Sequence, residues 1–281
     1  MPSLPADRDR AKSDASVQRA STREFVGKVI AVESAMGDSA ILEIRVPDWV
    51  ARGCRPGRFF EIICRFQDSA DPLLRRPYSV YAANEDTGTI SFLVRPYGRG
   101  STWLAQRKVG EELDILGPLG NEYTIDPNAR NLLLVAGGVG VAPMVMLAHE
   151  AAAKGLNVTF LLGAMNHEGL LAAHHLPSVV EYVVATNDGS KGFHGFVTDV
   201  ASEYVRWADQ IFACGPEPMY HSLRRAVEPH RINRKPQVQV SMEREMACGL
   251  GACLGCVVET KHGMQTTCVQ GPVFDMDDIV W

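Results

Sequence analysis

The spacing of hydrophobic and polar positions changes its period along the chain. From residue 25 to about residue 116, runs of five to nine residues alternate β-branched or aromatic residues with polar ones, and Gly, Pro, Asp or Asn separates the runs. Such alternation is typical of strands. Six of these runs predict a closed, antiparallel six-stranded barrel. They cover residues 25–32, 40–46, 58–66, 78–82, 89–94 and 112–116.

A helix is predicted within this region at residues 101–107, where Ser101 or Thr102 is a suitable N-cap. After residue 120 strands and helices alternate instead. Residues 132–136 form a continuous apolar run, which is typical of a buried parallel strand. Further strands are predicted at residues 158–162, 179–185 and 210–214, with helical segments between them. This pattern predicts an α/β unit with an open, mostly parallel sheet and helices on both faces.

Residues 1–24 are polar, charged and free of aromatic residues, which predicts a disordered tail. They lack the apolar segment of a secretory signal, and their aspartates disfavour an organellar transit peptide, so we expect a cytoplasmic protein. A hydrophobic fraction of 46% and a charged fraction of 22% are those of a soluble globular chain. The net charge of −5 provides no basic field for nucleic acid. No apolar run is long enough to span a bilayer, so a membrane partner is not expected either.

Four of the seven cysteines lie in the last 34 residues. Their spacing is C-x4-C-x2-C, followed after eleven residues by a fourth cysteine. This is the plant-type spacing for a 2Fe–2S cluster. Glycines between the cysteines allow the backbone to curl tightly and its amides to approach sulfur. The predicted ligands are Cys248, Cys253, Cys256 and Cys268.

Zinc and disulfide bonds are the alternatives for these cysteines. Zinc sites usually show C-x2-C pairs separated by a longer gap, and this chain has no second close pair. Disulfides need an oxidising compartment, for which no targeting signal is present. The other cysteines, Cys54, Cys64 and Cys214, are scattered, which suits a reducing cytosol. A structural zinc site stays open as the alternative.

Two further constellations lie in the barrel region. In residues 75–79 an arginine suits a phosphate, an aromatic ring can lie along a flat ring system, and a serine hydroxyl can reach a ring nitrogen. In residues 98–102 a glycine-rich turn opens the predicted helix, as in many anion sites. Ordinary surface strands and turns show the same residues, so each pattern alone is weak.

Two turns in the α/β region predict a nucleotide site. Residues 137–143 form a glycine-rich turn between a buried strand and a helix, where a pyrophosphate fits. This turn lacks the G-x-G-x-x-G spacing and its acidic partner. Residues 214–216 follow another strand and therefore face the same crevice, because the carboxyl ends of the strands border it. A simple strand-to-helix turn is the alternative there.

Taken in this order, the four constellations resemble those of the electron-transfer subunits of NAD-dependent dihydroorotate dehydrogenase, in the ferredoxin–NADP reductase superfamily. The resemblance covers residues 25–281, and its most specific string is M-A-C-G-x-G-x-C-x-G-C at residues 246–256. It implies an FAD-binding barrel domain at 25–122, an NAD-binding α/β domain at 123–236 and a small 2Fe–2S module at 237–281.

The resemblance also implies which residues bind each cofactor, with no general base among them. No arginine occurs in residues 163–166, where a 2′-phosphate would need one, which favours NAD over NADP. The implied FAD residues are Arg76, Pro77, Tyr78, Ser79, Leu93, Val94, Arg95, Gly100 and Ser101. The implied NAD residues are Gly137, Gly138, Gly140, Cys214 and Gly215.

The implied function is the transfer of electrons from a catalytic dihydroorotate dehydrogenase subunit, which holds FMN, through the 2Fe–2S cluster and FAD to NAD⁺ in pyrimidine biosynthesis. The implied partner is that subunit, in a symmetric hetero-oligomer. Two alternatives stay open. One is a NAD(P)H-dependent reductase module of the same build that serves a ferredoxin, oxygenase or hydrogenase. The other is a non-enzymatic module with a structural zinc.

Overall fold

The computed structural model describes residues 22–66, 68–232 and 236–281. Most of the predicted tail, residues 1–24, therefore lies outside the described residues. Arg23 and Glu24, at the end of that range, begin the first strand and pair with Gly117 and Leu116. The described residues form two seven-stranded sheets and a two-stranded hairpin.

The first sheet is antiparallel, with the strand order β4-β3-β7-β1-β2-β6-β5. Its inner face carries fully buried side chains such as Leu42, Phe60 and Phe92, which alternate with outward positions along their strands. The strands are β1 Arg23–Ser34, β2 Ala40–Arg45, β3 Phe59–Ile62, β4 Arg76–Ser79, β5 Ala82–Asn84, β6 Thr89–Val94 and β7 Glu112–Leu119. A short helix, α1 (Asp48–Gly53), packs beside β5 and β7.

One continuous segment joins the two edges of this sheet. Strand β4 pairs with β3, and β5 pairs with β6. Between them, Val80 N donates to Arg58 O at 3.0 Å and Tyr81 N donates to Ser91 O at 2.8 Å. The antiparallel barrel is confirmed, but the predicted strand at 78–82 is two strands, because the segment changes partner at this point.

The barrel helix, α2 (Arg99–Ala105), begins two residues earlier than predicted, with Gly98 at its N-cap. Ser101 therefore does not occupy the N-cap position. Its hydroxyl accepts hydrogen bonds from the backbone amides of Tyr97 and Gly98 at 2.8 and 2.9 Å. The side chain thus holds the turn before the helix in place.

The second sheet has the order β11-β10-β9-β8-β12-β13-β16, and only the β13–β16 pair is antiparallel. The predicted open, mostly parallel sheet is confirmed. Its strands are β8 Asn131–Gly137, β9 Asn157–Ala164, β10 Glu181–Thr186, β11 Phe193–His194, β12 Gln210–Cys214, β13 Gln237–Ser241 and β16 Val273–Asp275. Helices α3 (Val141–Ala153), α4 (Val197–Tyr204) and α5 (Glu217–Val227) follow three of the parallel strands.

The apolar run of β8 serves two separate cores. Leu132 and Leu134 pack on the face covered by α3, whereas Leu133 and Val135 pack on the face covered by α4 and α5. Strand residues alternate between faces, so a strand covered on both sides must be apolar throughout. Within the described residues, no helix has both the length and the apolar character needed to cross a lipid bilayer.

The C-terminal residues join both larger sheets. Strands β13 and β16 extend the parallel sheet, while β14 (Val257–Thr260) and β15 (Gly263–Thr266) form the separate hairpin. Asn121, just after the barrel, donates to the carbonyls of Gln270 and Val273 and accepts from Val273 N. The division at residues 122 and 236 stays a prediction.

A buried carboxyl group lies where the barrel meets the C-terminal residues. Glu61 of β3 has no exposed surface, and neither of its carboxyl oxygens has a hydrogen-bond partner among the described residues. Burial is the main cause that raises the pKa of Glu61 to about 8, and the positive charge of Arg75 opposes it. A group of this kind makes folding depend on pH.

We expect the substitution Glu61→Gln to remove that pH dependence. The folded protein binds the Glu61 proton more tightly than the unfolded chain, whose pKa is near the ordinary 4.5, so stability falls as the pH rises towards about 8. Between pH 6 and pH 8 the wild type should lose about 2 kcal/mol relative to the variant. Urea unfolding midpoints at pH 6, 7 and 8 measure this difference.

The exposed Glu112 of β7 provides a matched control, since Glu112→Gln should shift the midpoint by the same small amount at every pH. A constant difference between wild type and Glu61→Gln across this range would contradict the prediction.

Candidate cofactor and nucleotide sites

The four predicted cysteine ligands converge on one loop and one hairpin. Residues 248–256 have no helix or strand, and Cys256 and Cys268 flank the β14–β15 hairpin. Val257 pairs with Thr266 in that hairpin, and Thr267 N donates to Cys256 O at 2.9 Å, so both ends lie together. The hairpin therefore closes the eleven-residue gap that the sequence leaves between the last two cysteines.

The loop depends on left-handed backbone conformations. Gly249 and Gly251 have φ angles of 66° and 72°, and Leu254 has a φ angle of 57°. Leucine rarely adopts this conformation, and such strain is usually found at functional sites. The tight curl turns backbone amides towards sulfur: Leu250 N lies 3.4 Å from Cys248 Sγ and Gly251 N lies 3.2 Å from Cys268 Sγ.

These amides also affect the acidity of the thiols. Burial alone would raise the pKa of Cys248, but hydrogen bonds from the backbone amides of Leu250, Cys253 and Ala252 outweigh it and bring the pKa to about 7. Cys268 is more deeply buried, and burial together with the adjacent Cys256 raises its pKa to about 12. A metal centre at this loop would have a ready thiolate at Cys248, because the thiolate is the form that binds metal.

The sulfur atoms form two pairs, which distinguishes between the two candidate metals. The side chain of Cys248 lies beside that of Cys253, and the side chain of Cys256 lies beside that of Cys268. Within the described ranges, no three cysteine sulfurs lie within 4.8 Å of one another. A tetrahedral zinc with Zn–S bonds of about 2.3 Å would bring all four sulfurs to about 3.8 Å from each other. Two separate pairs fit a two-iron cluster instead.

The cysteine loop packs directly against the barrel. Phe59 of β3 and Leu116 and Leu119 of β7 form one apolar cluster with Cys256 and Cys268. Gly249 also lies against this surface, because a Cβ atom added there would come within 2.9 Å of Leu119 and 3.0 Å of Glu61. The strand β4 pairs with β3, so the predicted flavin strand lies one strand away from this contact.

The predicted flavin residues lie around β4 and the start of α2. A Cβ atom on Gly100 would lie 3.6 Å from the Arg76 side chain, so these two stretches are in contact. The guanidinium group of Arg76 donates to the carbonyls of Leu74 and Arg75 and forms no salt bridge in the described part of the chain. Arg75, by contrast, pairs with Glu24 and Asp114. An arginine that lacks a carboxylate partner fits a phosphate of FAD.

The remaining predicted flavin residues differ in exposure. Pro77, Tyr78 and Ser79 are half-buried on β4, where the Tyr78 ring lies 6.4 Å from that of Phe92. Burial raises the pKa of the Tyr78 phenol, and the nearby Cys64 raises it further. Leu93 and Val94 are buried in two different cores, whereas Arg95 lines a cleft. The side chain of Val94 therefore belongs to the barrel core.

The cleft between the barrel and the α/β unit has a volume of about 1250 Å³. The ends of β8 and β12 meet at its floor. A Cβ atom on Gly140 would lie 2.2 Å from the carbonyl oxygen of Cys214, and one on Gly137 would lie 2.9 Å from Met219. Only glycine permits these turns to approach so closely. Gly137, Gly138 and Gly215 line the cleft, and Gly140 lies behind them.

Cys214 packs below the cleft surface, with an exposed fraction of 1%. Its sulfur lies 3.9 Å from Glu243 Oε1, and Glu243 does line the cleft. Glu243 is exposed at the cleft surface, and desolvation by the surrounding protein raises its carboxyl pKa. Sequence reasoning missed Glu243, although it lies two residues after the parallel strand β13, at the carboxyl end that borders the crevice.

The far wall of the cleft follows strands β9 and β10. Ala164, Met165, Asn166 and Asn187 lie there, and Arg95 on the barrel side is the single arginine or lysine among the described residues that line the cleft. This wall therefore has no cationic side chain for a 2′-phosphate, as the sequence indicated.

Two family models match the chain. Residues 27–123 match the oxidoreductase FAD-binding domain, and residues 243–280 match the iron–sulfur cluster binding domain of dihydroorotate dehydrogenase B. Among solved structures, the chain is similar to an NADH-dependent reduced ferredoxin–NADP oxidoreductase, with a TM-score of 0.79, 27% identity, and coverage of 92% of this chain and 90% of the other. A ferredoxin reductase of carbazole 1,9a-dioxygenase matches with a TM-score of 0.65 at 23% identity, and the match covers 78% of this chain and 69% of that reductase. This likeness shows the fold alone.

Curated relatives match over most of their length. The dihydroorotate dehydrogenase B (NAD(+)) electron transfer subunit of Desulforamulus reducens is 33% identical over 267 residues, which cover 92% of this chain and 99% of the relative. The subunit of the same name from a Geobacillus species is 37% identical over 230 residues, or 80% of this chain and 86% of the relative. The resemblance seen in the sequence is confirmed: the chain belongs to the family of dihydroorotate dehydrogenase B electron-transfer subunits.

Proposed function

We propose that this chain is the electron-transfer subunit of a cytoplasmic NAD-dependent dihydroorotate dehydrogenase that acts in pyrimidine biosynthesis. The two sulfur pairs beside the flavin-type barrel are the observation that supports this proposal most directly. A bound flavin can exchange a hydride with a nicotinamide and single electrons with an iron–sulfur cluster. The nicotinamide exchanges only a hydride and the cluster only single electrons, so the flavin connects the two. The chain's own residues supply position and electrostatics.

In this proposal the barrel side and the α/β side of the chain have separate tasks. The unpaired guanidinium of Arg76 binds a phosphate of FAD, and Tyr78 supports the ring system from β4. On the opposite side, Gly137, Gly138 and Gly215 let the pyrophosphate of NAD approach the backbone. Gly140 keeps the two nucleotide turns in contact. Pro77, Ser79, Arg95, Gly100 and Ser101 act through the same two surfaces, whereas the side chains of Leu93, Val94 and Cys214 are buried behind them.

The cysteine loop is placed to meet a partner protein. Cys253 is exposed, and three apolar side chains of this loop and the hairpin that follows it are exposed as well: Leu250 at 46%, Leu254 at 62% and Met264 at 63%. Exposed apolar residues grouped in this way mark protein contacts. The proposed occupant is the FMN-containing catalytic subunit in a symmetric hetero-oligomer, because the relatives are named as subunits of dihydroorotate dehydrogenase B.

The second candidate is a reductase module that serves another electron acceptor. The 27% identity to an NADH-dependent reduced ferredoxin–NADP oxidoreductase favours it, since both chains share nearly their full length. Fold and cofactor set are common to the two functions, so the partner decides between them.

Dihydroorotate oxidation should therefore require a second polypeptide. We expect the holoprotein alone to pass electrons from NADH to an artificial acceptor and to show no dihydroorotate:NAD⁺ activity, because it has no substrate site of its own in this proposal. Adding the FMN-containing catalytic subunit should produce that activity at a rate at least 100-fold above background. This rate increase corresponds to an activation free energy that is lower by roughly 3 kcal/mol or more. NADH formation at 340 nm, with and without the partner, measures it.

Activity of the chain alone with dihydroorotate would refute the proposed division of labour. If the cognate catalytic subunit produces no dihydroorotate:NAD⁺ activity and the chain transfers electrons rapidly to a ferredoxin, the second candidate is favoured.

Substituting a proposed ligand should remove the cluster selectively. We expect Cys256→Ser to reduce the iron content from about two per chain and to abolish the visible cluster bands, because serine replaces a soft thiolate ligand. Cys54→Ala, which changes a buried cysteine in the barrel core, is the matched control and should retain both irons. Iron and flavin counts on the same samples measure the effect.

Retention of iron in Cys256→Ser, or one zinc and no iron in the wild type, would contradict the assignment of the four cysteines.

The preference for NADH over NADPH should depend on the residues that line the cleft beside β9. We expect kcat/KM with NADH to exceed that with NADPH roughly 10-fold to 100-fold, because a 2′-phosphate would find no charge-assisted partner there. Met165→Arg should raise kcat/KM for NADPH about 10-fold, whereas Met165→Leu should leave the ratio unchanged. Flavin reduction followed by stopped flow gives both constants, and equal use of the two nucleotides by the wild type would contradict the prediction.

A further inference from the structure

A cluster of potential metal ligands lies far from the cysteine loop in sequence. Glu33 is near the end of β1, and His174 and His175 belong to the short 3-10 helix Ala173–His175. The Glu33 Oε1 atom lies 3.8 Å from His174 Nε2 and 3.9 Å from His175 Nε2. Among the residues that the structure describes, no other set of three or more His, Cys, Asp or Glu side chains brings its ligand atoms within 4.8 Å.

These distances leave room for an ion. Both separations exceed 3.5 Å, so the carboxylate does not hydrogen-bond to either imidazole at this geometry. With metal–ligand bonds of about 2.0–2.2 Å, tetrahedral ligand atoms lie about 3.4 Å apart. Movement of about 0.5 Å by the side chains of Glu33 and His174 would achieve this, and both are more than half exposed.

The two histidines face the same way despite being neighbours in sequence. Their ring centroids are 4.2 Å apart with an interplanar angle of 34°. Adjacent residues on an α-helix do not face each other, so sequence position alone does not bring these two side chains together. The 3-10 turn, followed by extended backbone at Leu176, places both rings over the barrel strand.

A buried hydroxyl group beside the cluster provides an independent observation. Tyr81 has an exposed fraction of 5%, and its hydroxyl has no hydrogen-bond partner among the described residues. Its ring meets that of His175 edge-on at 6.1 Å. Burial, and next the negative charge of Glu33, raise the pKa of the Tyr81 phenol. A buried donor without a partner is unusual, and often indicates a missing ion or water.

We propose that Glu33, His174 and His175 bind one zinc ion, with the Tyr81 hydroxyl as a hydrogen-bond donor to its water or carboxylate ligand. Two imidazoles and one carboxylate form a zinc ligand set that leaves a fourth position for water. Zinc is preferred over iron(II) at such nitrogen and oxygen ligands.

The proposed site joins two parts of the chain. Glu33 belongs to the barrel sheet, whereas the histidines lie in the connection between β9 and β10 of the parallel sheet. An ion held by both would stabilise their contact, since a ligand that binds only the folded state shifts the unfolding equilibrium. Its three ligands are separate from the cysteine loop and from the residues proposed to bind the flavin.

The test uses untagged holoprotein with its cluster and flavin in place, stripped of loosely bound metal by a chelator. Zinc is titrated in competition with a chromophoric chelator, and the metal content is counted after gel filtration. We expect one zinc per chain in the wild type and a zinc-dependent rise in the melting temperature. Both should disappear in the double variant His174→Ala/His175→Ala and in Glu33→Gln.

Two further variants make the test specific. Tyr81→Phe should weaken zinc binding roughly 10-fold to 100-fold, as changes to outer-shell partners of metal ligands do. His262→Ala, which changes an exposed histidine on the β14–β15 turn, should bind zinc as the wild type does. Circular dichroism and flavin content establish that each variant is folded.

The proposal is overturned if the wild type binds no zinc at micromolar concentration. It is also overturned if the double variant and Glu33→Gln bind as much zinc as the wild type, whether or not cluster absorbance declines, because the metal then lies elsewhere.

Discussion

The packing of the cysteine loop against the barrel is the contact on which the electron-transfer arrangement depends. The loop has no helix or strand between Cys248 and Cys256, and it contains three residues with left-handed backbone. Such a segment buries too little surface to keep a shape by itself. Phe59, Leu116 and Leu119 provide the surface that it lacks. Since β3 also pairs with β4, the same strand supports both the cysteines and the proposed flavin site.

A second constraint operates at the nucleotide cleft. The turn after β8 and the turn after β12 lie so close together that no side-chain atom fits between Gly140 and the Cys214 carbonyl. Parallel neighbours in a sheet bring their carboxyl ends together, and the glycines remove the side chains that would keep the turns apart. The cleft floor is thus made of backbone, which leaves selection between nucleotides to the walls beside β9 and β10.

The sequence was informative wherever a signal lay within one short segment. The cysteine spacing, the change from period two to alternating strands and helices, and the apolar run of β8 each predicted the correct element, because each reflects local geometry. The division of residues 76–84 between two partner strands was not predictable, since it depends on Arg58 and Ser91, which lie elsewhere in the chain. Glu61, Glu243 and the Glu33 cluster were missed for the same reason: their significance comes from neighbours distant in sequence.

The antiparallel pairing of β16 with β13 has a consequence for how such chains can be recombined. Three residue pairs, from Gln239–Asp275 to Ser241–Val273, make the last strand of the cysteine-containing segment an edge of the nucleotide sheet. Transplanting residues 243–280 onto another reductase would therefore cut through a hydrogen-bonded ladder and expose the side of β13 that β16 now covers. A functional graft would need to carry β13 as well, together with a host strand that accepts it in the register of β12.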